Sequence, residues 1–253
     1  MLRFYYVVVA GFFRMLYYVM RASHYYKHPE KYDEEFCYRH AQKMVTYLRK
    51  KAWTKTNVYG EENLPSEGGY IMFANHQGKY DALGVFSYHK KPCSVLIEMN
   101  NSYVFSTKQV IDLTHGVRID QTRPRQQLAA LRHLGEEVRD GRRFLVFPEG
   151  KWGDNKNTLQ EFHDGCFYSA YIAKCPIVPL VLIDSYKSMN TSQLFKRVTT
   201  EMHYLPPIPY EEYASMKRPE ICAHVKALIQ AKIDEVLSAR GELPERSEPV
   251  PAK

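Results

Sequence analysis

The chain has 253 residues, 45% of them hydrophobic, with a formal net charge of +7 and a pI near 9.0. That length carries one α/β domain with a sizeable core plus an attachment, and the positive balance suits phospholipid headgroups, a phosphate-bearing substrate, an acidic carrier protein or nucleic acid. The basic residues form no RNA or DNA module signature and the 20 tyrosines sit on no stacking motif, which sets nucleic acid aside as a partner; five cysteines without a CxxC pair set aside a zinc site and favour reduced thiols in a cytoplasmic setting.

The chain opens with LRFYYVVVAGFFRMLYYVMR, whose uncharged run from Phe4 to Phe13 is interrupted by Arg14. Crossing a bilayer needs roughly 20 predominantly apolar residues, and no small-residue cleavage site follows. At about 100° per residue Arg3, Arg14 and Arg21 share one side of a helix, while Phe4, Val8, Phe12, Met15 and Val19 cover the other. Tyr5, Tyr6, Tyr17 and Tyr18 suit the headgroup level. This pattern predicts a helix lying in an anionic membrane surface; the alternatives are packing on the domain's own core or deep insertion with a snorkelling Arg14. A second helix is expected from Pro29 to about Lys51, antiparallel to the first, so that residues 1–55 form a two-helix membrane-attachment hairpin. Its basic end, Arg49, Lys50, Lys51 and Lys55, suits lipid phosphates or the helix C-terminus equally.

From residue 56 to 240 the pattern is α/β. Strands are expected near 57–59, 70–74, 94–97, 117–119, 144–147, 177–183 and 199–205, and helices near 81–88, 125–140, 164–173 and 217–239. Such alternation implies a sheet flanked by helices, with loops carrying chemistry at one end. Residues 241–253, polar and Pro-rich, read as a disordered tail. The chain shows no internal repeat, P-loop or dinucleotide fingerprint.

The chemistry-bearing stretch is NHQGKYDALG, residues 75–84, straight after the apolar run GYIMFA. A neutral imidazole can take a proton from an alcohol near pH 7, and a carboxylate on its other nitrogen fixes the tautomer. Spacing alone decides nothing, because HxxxxD occurs three times. His28 and Asp33 read as helix-start residues beside Pro29. His115 and Asp120 enclose the extended-looking GVRI, which holds them about 16 Å apart at about 3.3 Å per residue. Between His76 and Asp81, Gly78 allows a tight reversal from strand into helix, bringing Asp81 back under the imidazole.

Three further segments follow in order: GVRID at 116–120, FPEG at 147–150 and PIVP at 176–179. With His76 and Asp81 ahead of them, the chain resembles the lysophosphatidic acid acyltransferase family, the 1-acyl-sn-glycerol-3-phosphate O-acyltransferases, over about residues 57–205. Each motif alone is weak to moderate; four in order are strong.

The resemblance implies a glycerophospholipid acyltransferase-like sheet, with His76 as general base, Asp81 as its orienting carboxylate, and Glu149 and Gly150 in the acceptor-binding turn. It implies direct attack of the sn-2 hydroxyl of lysophosphatidic acid on the thioester of acyl-CoA or acyl carrier protein, giving phosphatidic acid with no acyl-enzyme, no metal and no cofactor beyond the co-substrate. Backbone amides near Gly150 are candidate oxyanion donors. With the interfacial N-terminal helix read above, the expectation is a peripheral, monotopic enzyme on the cytoplasmic face of a membrane, the bacterial inner membrane being the expected one. Two departures stand out: family members follow Glu-Gly with Thr-Arg, and the Asp of the second motif with Arg. Here those positions are Lys151, Trp152 and Gln121. Arg118, Lys151 and Arg123 are the candidate substitutes for holding an acceptor phosphate, with Lys79 a weaker one. The missing arginines keep another lysolipid acceptor open, and a non-catalytic membrane-associated module is the alternative from a different class.

Overall fold

The computed structural model describes residues 2–189, 191 and 193–242; the expected tail falls, beyond Glu242, outside them. Among the described residues, strands β1 (Thr54–Tyr59), β2 (Tyr70–Ala74), β3 (Ser94–Glu98), β4 (Val117–Ile119), β5 (Arg143–Val146), β6 (Ile177–Ile183) and β7 (Val198–Tyr204) form one sheet in the order β1-β7-β6-β2-β5-β3-β4. The strands β6, β2, β5, β3 and β4 run parallel, whereas β7 pairs antiparallel to β6 and parallel to β1. Helices α1 (Leu2–Tyr26), α2 (Glu34–Lys51), α3 (Asp81–Tyr88), α4 (Thr107–Leu113), α5 (Pro124–Arg139), α6 (Tyr168–Ala173), α7 (Tyr186–Met189), α8 (Tyr210–Tyr213) and α9 (Arg218–Ala239) surround it.

Alternation along the strands builds a core on each face. Ile71 and Phe73 of β2, with Phe144, Val146, Ile177, Val181 and Ile183, meet Leu134 and Val138 of α5, Ala170 of α6 and the α9 stripe Val225, Ile229, Ile233. Tyr70, Met72 and Ala74 point the other way with Leu145, Val178 and Leu180, against Tyr38 and Val45 of α2 and Val85 and Phe86 of α3. Strands covered on both faces carry continuous apolar runs, as YIMFA and IVPLVLI do. Pro179 survives in a central strand because its carbonyl faces β7, where it accepts from Leu205 N–H at 3.0 Å. Its missing N–H lies on that same side, at the end of the β6–β7 ladder.

Three boundaries differ from expectation, the first being the start of β1 at Thr54 and not Asn57. Asp33 caps α2 by accepting the Phe36 N–H at 2.8 Å, so the helix begins at Glu34 and Pro29 lies in the preceding turn. Residues 164–173 divide into a 3-10 turn, Asp164–Phe167, and α6. All five cysteines are free thiols.

Helix α1 presents a different stripe to the protein than its helical wheel suggests. Val7, Gly11, Met15, Val19, Ala22 and Tyr25 are buried, the last four of them against Cys37, Ala41 and Met44 of α2 and Leu113 of α4. Small residues decide this, because they let helices approach closely: a Cβ on Gly11 would meet Tyr47 Cε1 at 3.3 Å. Arg3 does not face lipid either. Its guanidinium is fully buried and donates to the carbonyls of Ala52 at 3.1 Å, Ser188, Gln193 and Lys196. Arg14 lies over the Tyr18 and Tyr47 rings, and Arg21 donates to the Tyr25 hydroxyl at 2.8 Å. The outward face keeps Tyr5, Val9, Phe13, Tyr17 and Met20 exposed, with Val9 at 75% and Phe13 at 85%. By length and composition alone α1 is the one helix among the described residues apolar enough to cross a membrane. Exposed Phe105 stacks on Phe12 with ring centroids 6.2 Å apart, which continues the apolar surface past the helix.

Candidate active site

The parallel strands deliver the motifs to one edge of the sheet. His76 follows the C-terminal end of β2, Glu149 that of β5, Gln121 that of β4, and Ser185 that of β6. In open α/β sheets this edge is where ligands bind.

His76 Nδ1 lies 2.6 Å from Asp81 Oδ2. Asp81 is buried at the first position of α3, and the same Oδ2 accepts the backbone N–H groups of Gln77 at 2.6 Å and Gly78 at 2.9 Å. The carboxylate therefore closes the loop on itself. Gly78 keeps an ordinary φ, so the reversal comes from Asp81 gathering two amides and not from glycine's left-handed freedom. With Nδ1–H given to Asp81, Nε2 is left as the proton-accepting nitrogen, and the His76 side chain is 17% exposed. The ring stacks on Phe147 at 4.1 Å and 18°, which fixes its plane. The other two HxxxxD pairs are not dyads: Asp33 caps α2 and Asp120 binds the Thr122 amide and hydroxyl.

The resemblance puts Glu149 in the acceptor-binding turn, but its carboxylate is buried and turned inward. It accepts the His76 N–H at 3.1 Å and Gln160 Nε2 at 2.6 Å, so it clasps the FPEG turn to the dyad loop. Burial pushes this carboxyl above its ordinary range, opposed by those two bonds. Gly150 has φ +69°, and a Cβ there would meet the His163 ring at 3.3 Å, so the turn needs glycine. The Gly150 N–H is engaged by Phe147 O at 3.0 Å and is not available to an oxyanion. Gln121 Nε2 donates to Gly150 O at 3.0 Å, which joins the second motif to this turn.

The candidate cations are arranged unequally. Arg118 Nη2 donates to Asp112 Oδ1 at 2.6 Å and Nε to Ser102 Oγ at 3.0 Å, and the guanidinium lies over the Tyr103 ring, so that Nη1 has no hydrogen-bond partner among the described residues. Arg123 pairs with Asp120 at 3.3 Å and is largely exposed. Lys151 is exposed directly after Gly150. Lys79 lies over the Phe4 ring at 3.9 Å, tying α1 to the dyad loop.

Several residues behind the dyad carry no motif of their own. Asn75 exchanges two hydrogen bonds with the Leu182 backbone at 2.8 and 2.9 Å, extending the β2–β6 ladder by a side chain. Gln77 and Asn157 are joined at 2.9 Å. The only sequence signal for this lattice is the run of amides around His76 and at 155–160.

An imidazole reaching solvent and the carboxylate that holds its other nitrogen meet at the C-terminal edge of a mostly parallel sheet, the arrangement of an α/β enzyme. Residues 55–183 match the family model described as Acyltransferase, and the chain belongs to that family. It is 27% identical over 190 residues to the probable 1-acyl-sn-glycerol-3-phosphate acyltransferase of Mycoplasma pneumoniae, covering 72% of this chain and 70% of the relative. It is 28% identical over 193 residues to the 1-acyl-sn-glycerol-3-phosphate acyltransferase of Saccharomyces cerevisiae, covering 75% and 61%. The crystal structure of the 1-acyl-sn-glycerophosphate (LPA) acyltransferase PlsC from Thermotoga maritima shares the fold, with a TM-score of 0.73 over 93% of each chain at 19% identity.

Proposed function

We propose that this acyltransferase moves a fatty acyl group from acyl-CoA or acyl carrier protein to the sn-2 hydroxyl of lysophosphatidic acid, giving phosphatidic acid. The observation that carries the mechanism is the 2.6 Å His76–Asp81 pair with Nε2 left open. His76 Nε2 takes the hydroxyl proton as the alkoxide oxygen attacks the thioester carbonyl. The tetrahedral intermediate then expels the thiolate as the C–S bond breaks, and the imidazolium returns its proton to sulfur. Asp81 holds the tautomer and offsets the imidazolium charge throughout. The names of the relatives support lysophosphatidic acid as acceptor. Lys151 and Nη1 of Arg118 are the groups proposed to meet its phosphate, with Arg123 at the rim.

The outward face of α1 is proposed to lie in the cytoplasmic leaflet of the bacterial inner membrane without crossing it, Val9 and Phe13 entering the acyl region and Tyr5 and Tyr17 the headgroup level. Contact of Phe4 with Lys79, and of Val7 with Tyr80, sets the N-terminal end of α1 beside the dyad loop through its inward side.

Two observations favour a second acceptor class: Asp112 already pairs with Arg118, and a glutamine, Gln121, occupies the position of a family arginine. Purified enzyme given one acyl donor and a series of lyso-acceptors separates the two. Lysophosphatidic acid should give the highest kcat/KM, and Lys151→Ala should raise its KM about tenfold through loss of a charge-assisted contact. A higher kcat/KM for a lysolipid without a terminal phosphate would assign the enzyme to the other acceptor.

A further inference from the structure

Asp81 uses its two oxygens differently. Oδ2 receives His76 Nδ1 and the amides of Gln77 and Gly78, all from its own loop. Oδ1 receives one donor among the described residues, the hydroxyl of Ser185, which comes from the end of β6. A carboxylate turns easily about its Cβ–Cγ bond, because a terminal sp3–sp2 torsion is broad. The three donors on Oδ2 resist that rotation from one side of the carboxylate, and the donor on Oδ1 resists it from the other, anchored on a separate element.

Ser185 is itself fixed. It is buried, and its backbone N–H donates to Gln77 Oε1 at 3.0 Å. The Ser185 hydroxyl lies within reach of both Gln77 Oε1, at 2.9 Å, and Asp81 Oδ1. It has one proton, and the anionic oxygen is the stronger acceptor. Gln77 cannot turn its amide to compete, since Nε2 donates to Leu182 O and Asn157 Oδ1, each at 2.9 Å. Asn157 in turn accepts the Asp184 N–H and donates to its carboxylate, both at 2.9 Å. Asp184 holds φ +62°, a left-handed conformation unfavourable for a residue with a Cβ, and Arg240 and Lys187 clamp its side chain at 2.9 Å. The strained residue aims the next one at the dyad.

We infer that Ser185 is a positioning residue of the acyl-transfer reaction: its hydroxyl holds the Asp81 carboxylate so that Oδ2 stays on His76 Nδ1. The role rests on His76 acting as the base. Misplacement of a catalytic group lowers the rate of the chemical step while leaving substrate binding alone.

The test compares Ser185→Ala, Ser185→Thr and Asn157→Ala in steady-state acyl transfer. Ser185→Ala should lower kcat about tenfold with both KM values within about twofold of wild type, and Ser185→Thr, which keeps the hydroxyl, should recover to within about threefold. Unchanged kcat in Ser185→Ala, a KM that rises as much as kcat falls, or a threonine variant no better than alanine would overturn the role. Should Ser185→Ala fail to fold, Asn157→Ala carries the test from a partly exposed loop: about a threefold loss of kcat at constant KM is expected, and no loss overturns it. An inactive His76→Ala beside an unaffected Ser185→Ala removes Ser185 alone, whereas an active His76→Ala removes the dyad beneath it.

Discussion

His76 and Asp81 differ from the other two pairs at the same spacing in what closes the loop between them. Asp81 collects two backbone amides as well as the imidazole, so replacing it by an amide upsets the loop and the tautomer together. Asp81→Asn should lower kcat by about 100-fold to 10,000-fold, measured in detergent micelles with far-UV circular dichroism unchanged. A second residue reports on stability. His89 is buried, within 2.9 Å of the Tyr70 hydroxyl at Nε2 and 2.7 Å of Lys91 O at Nδ1, and burial pushes it from 6.5 down to about 4. Its folded pKa is depressed, so its contribution is complete above about pH 6.5 and is lost as pH falls toward about 4. That is about 3 kcal/mol at about 1.4 kcal/mol per unit. Urea unfolding between those pH values should show this fall, and His89→Gln should flatten it. The dyad was legible because its members are five residues apart and follow a strand. Ser185 was not, since it reaches Asp81 from 104 positions away and a lone serine carries no local pattern.

At the scale of elements, the central strands were visible as apolar runs, because both faces of the sheet are covered there, whereas the edge strand β1, TKTNVY, was anticipated only over 57–59. The short helices α4, α7 and α8 were missed: seven residues in α4 and four in each of the others are too few to show helical periodicity. Helix α1 was legible as an amphipathic element but not in its orientation. It is apolar on more than one side, so the choice of inward stripe falls to Gly11 and Ala22, which fit against α2, and to Arg3, which finds four carbonyls. The outward stripe is where membrane binding should be sensitive. Phe13→Asp should release the protein from anionic liposomes in a flotation assay, because the apolar gain is lost and a charge opposes insertion. Met15→Asp would instead unfold the α1–α2 contact. Flotation of Phe13→Asp equal to wild type would place the membrane surface elsewhere.

Across the whole molecule, topology does what local sequence cannot: it brings the ends of β2, β4, β5 and β6 to one edge, so residues from 75 to 185 meet in one candidate site. The acceptor phosphate is the part least readable from sequence. A cation's value depends on what neutralises it, and the partner of Arg118 is Asp112, on a different element. Under the proposed function the +7 charge acts at long range on anionic lipid and donor, and the chemistry is left to the dyad. The most direct measurement is turnover by His76→Ala with lysophosphatidic acid and acyl-CoA in micelles, beside wild type of equal thermal stability. Product formation should fall by at least about 100-fold with liposome binding retained; turnover above about a tenth of wild type would contradict proton removal by His76.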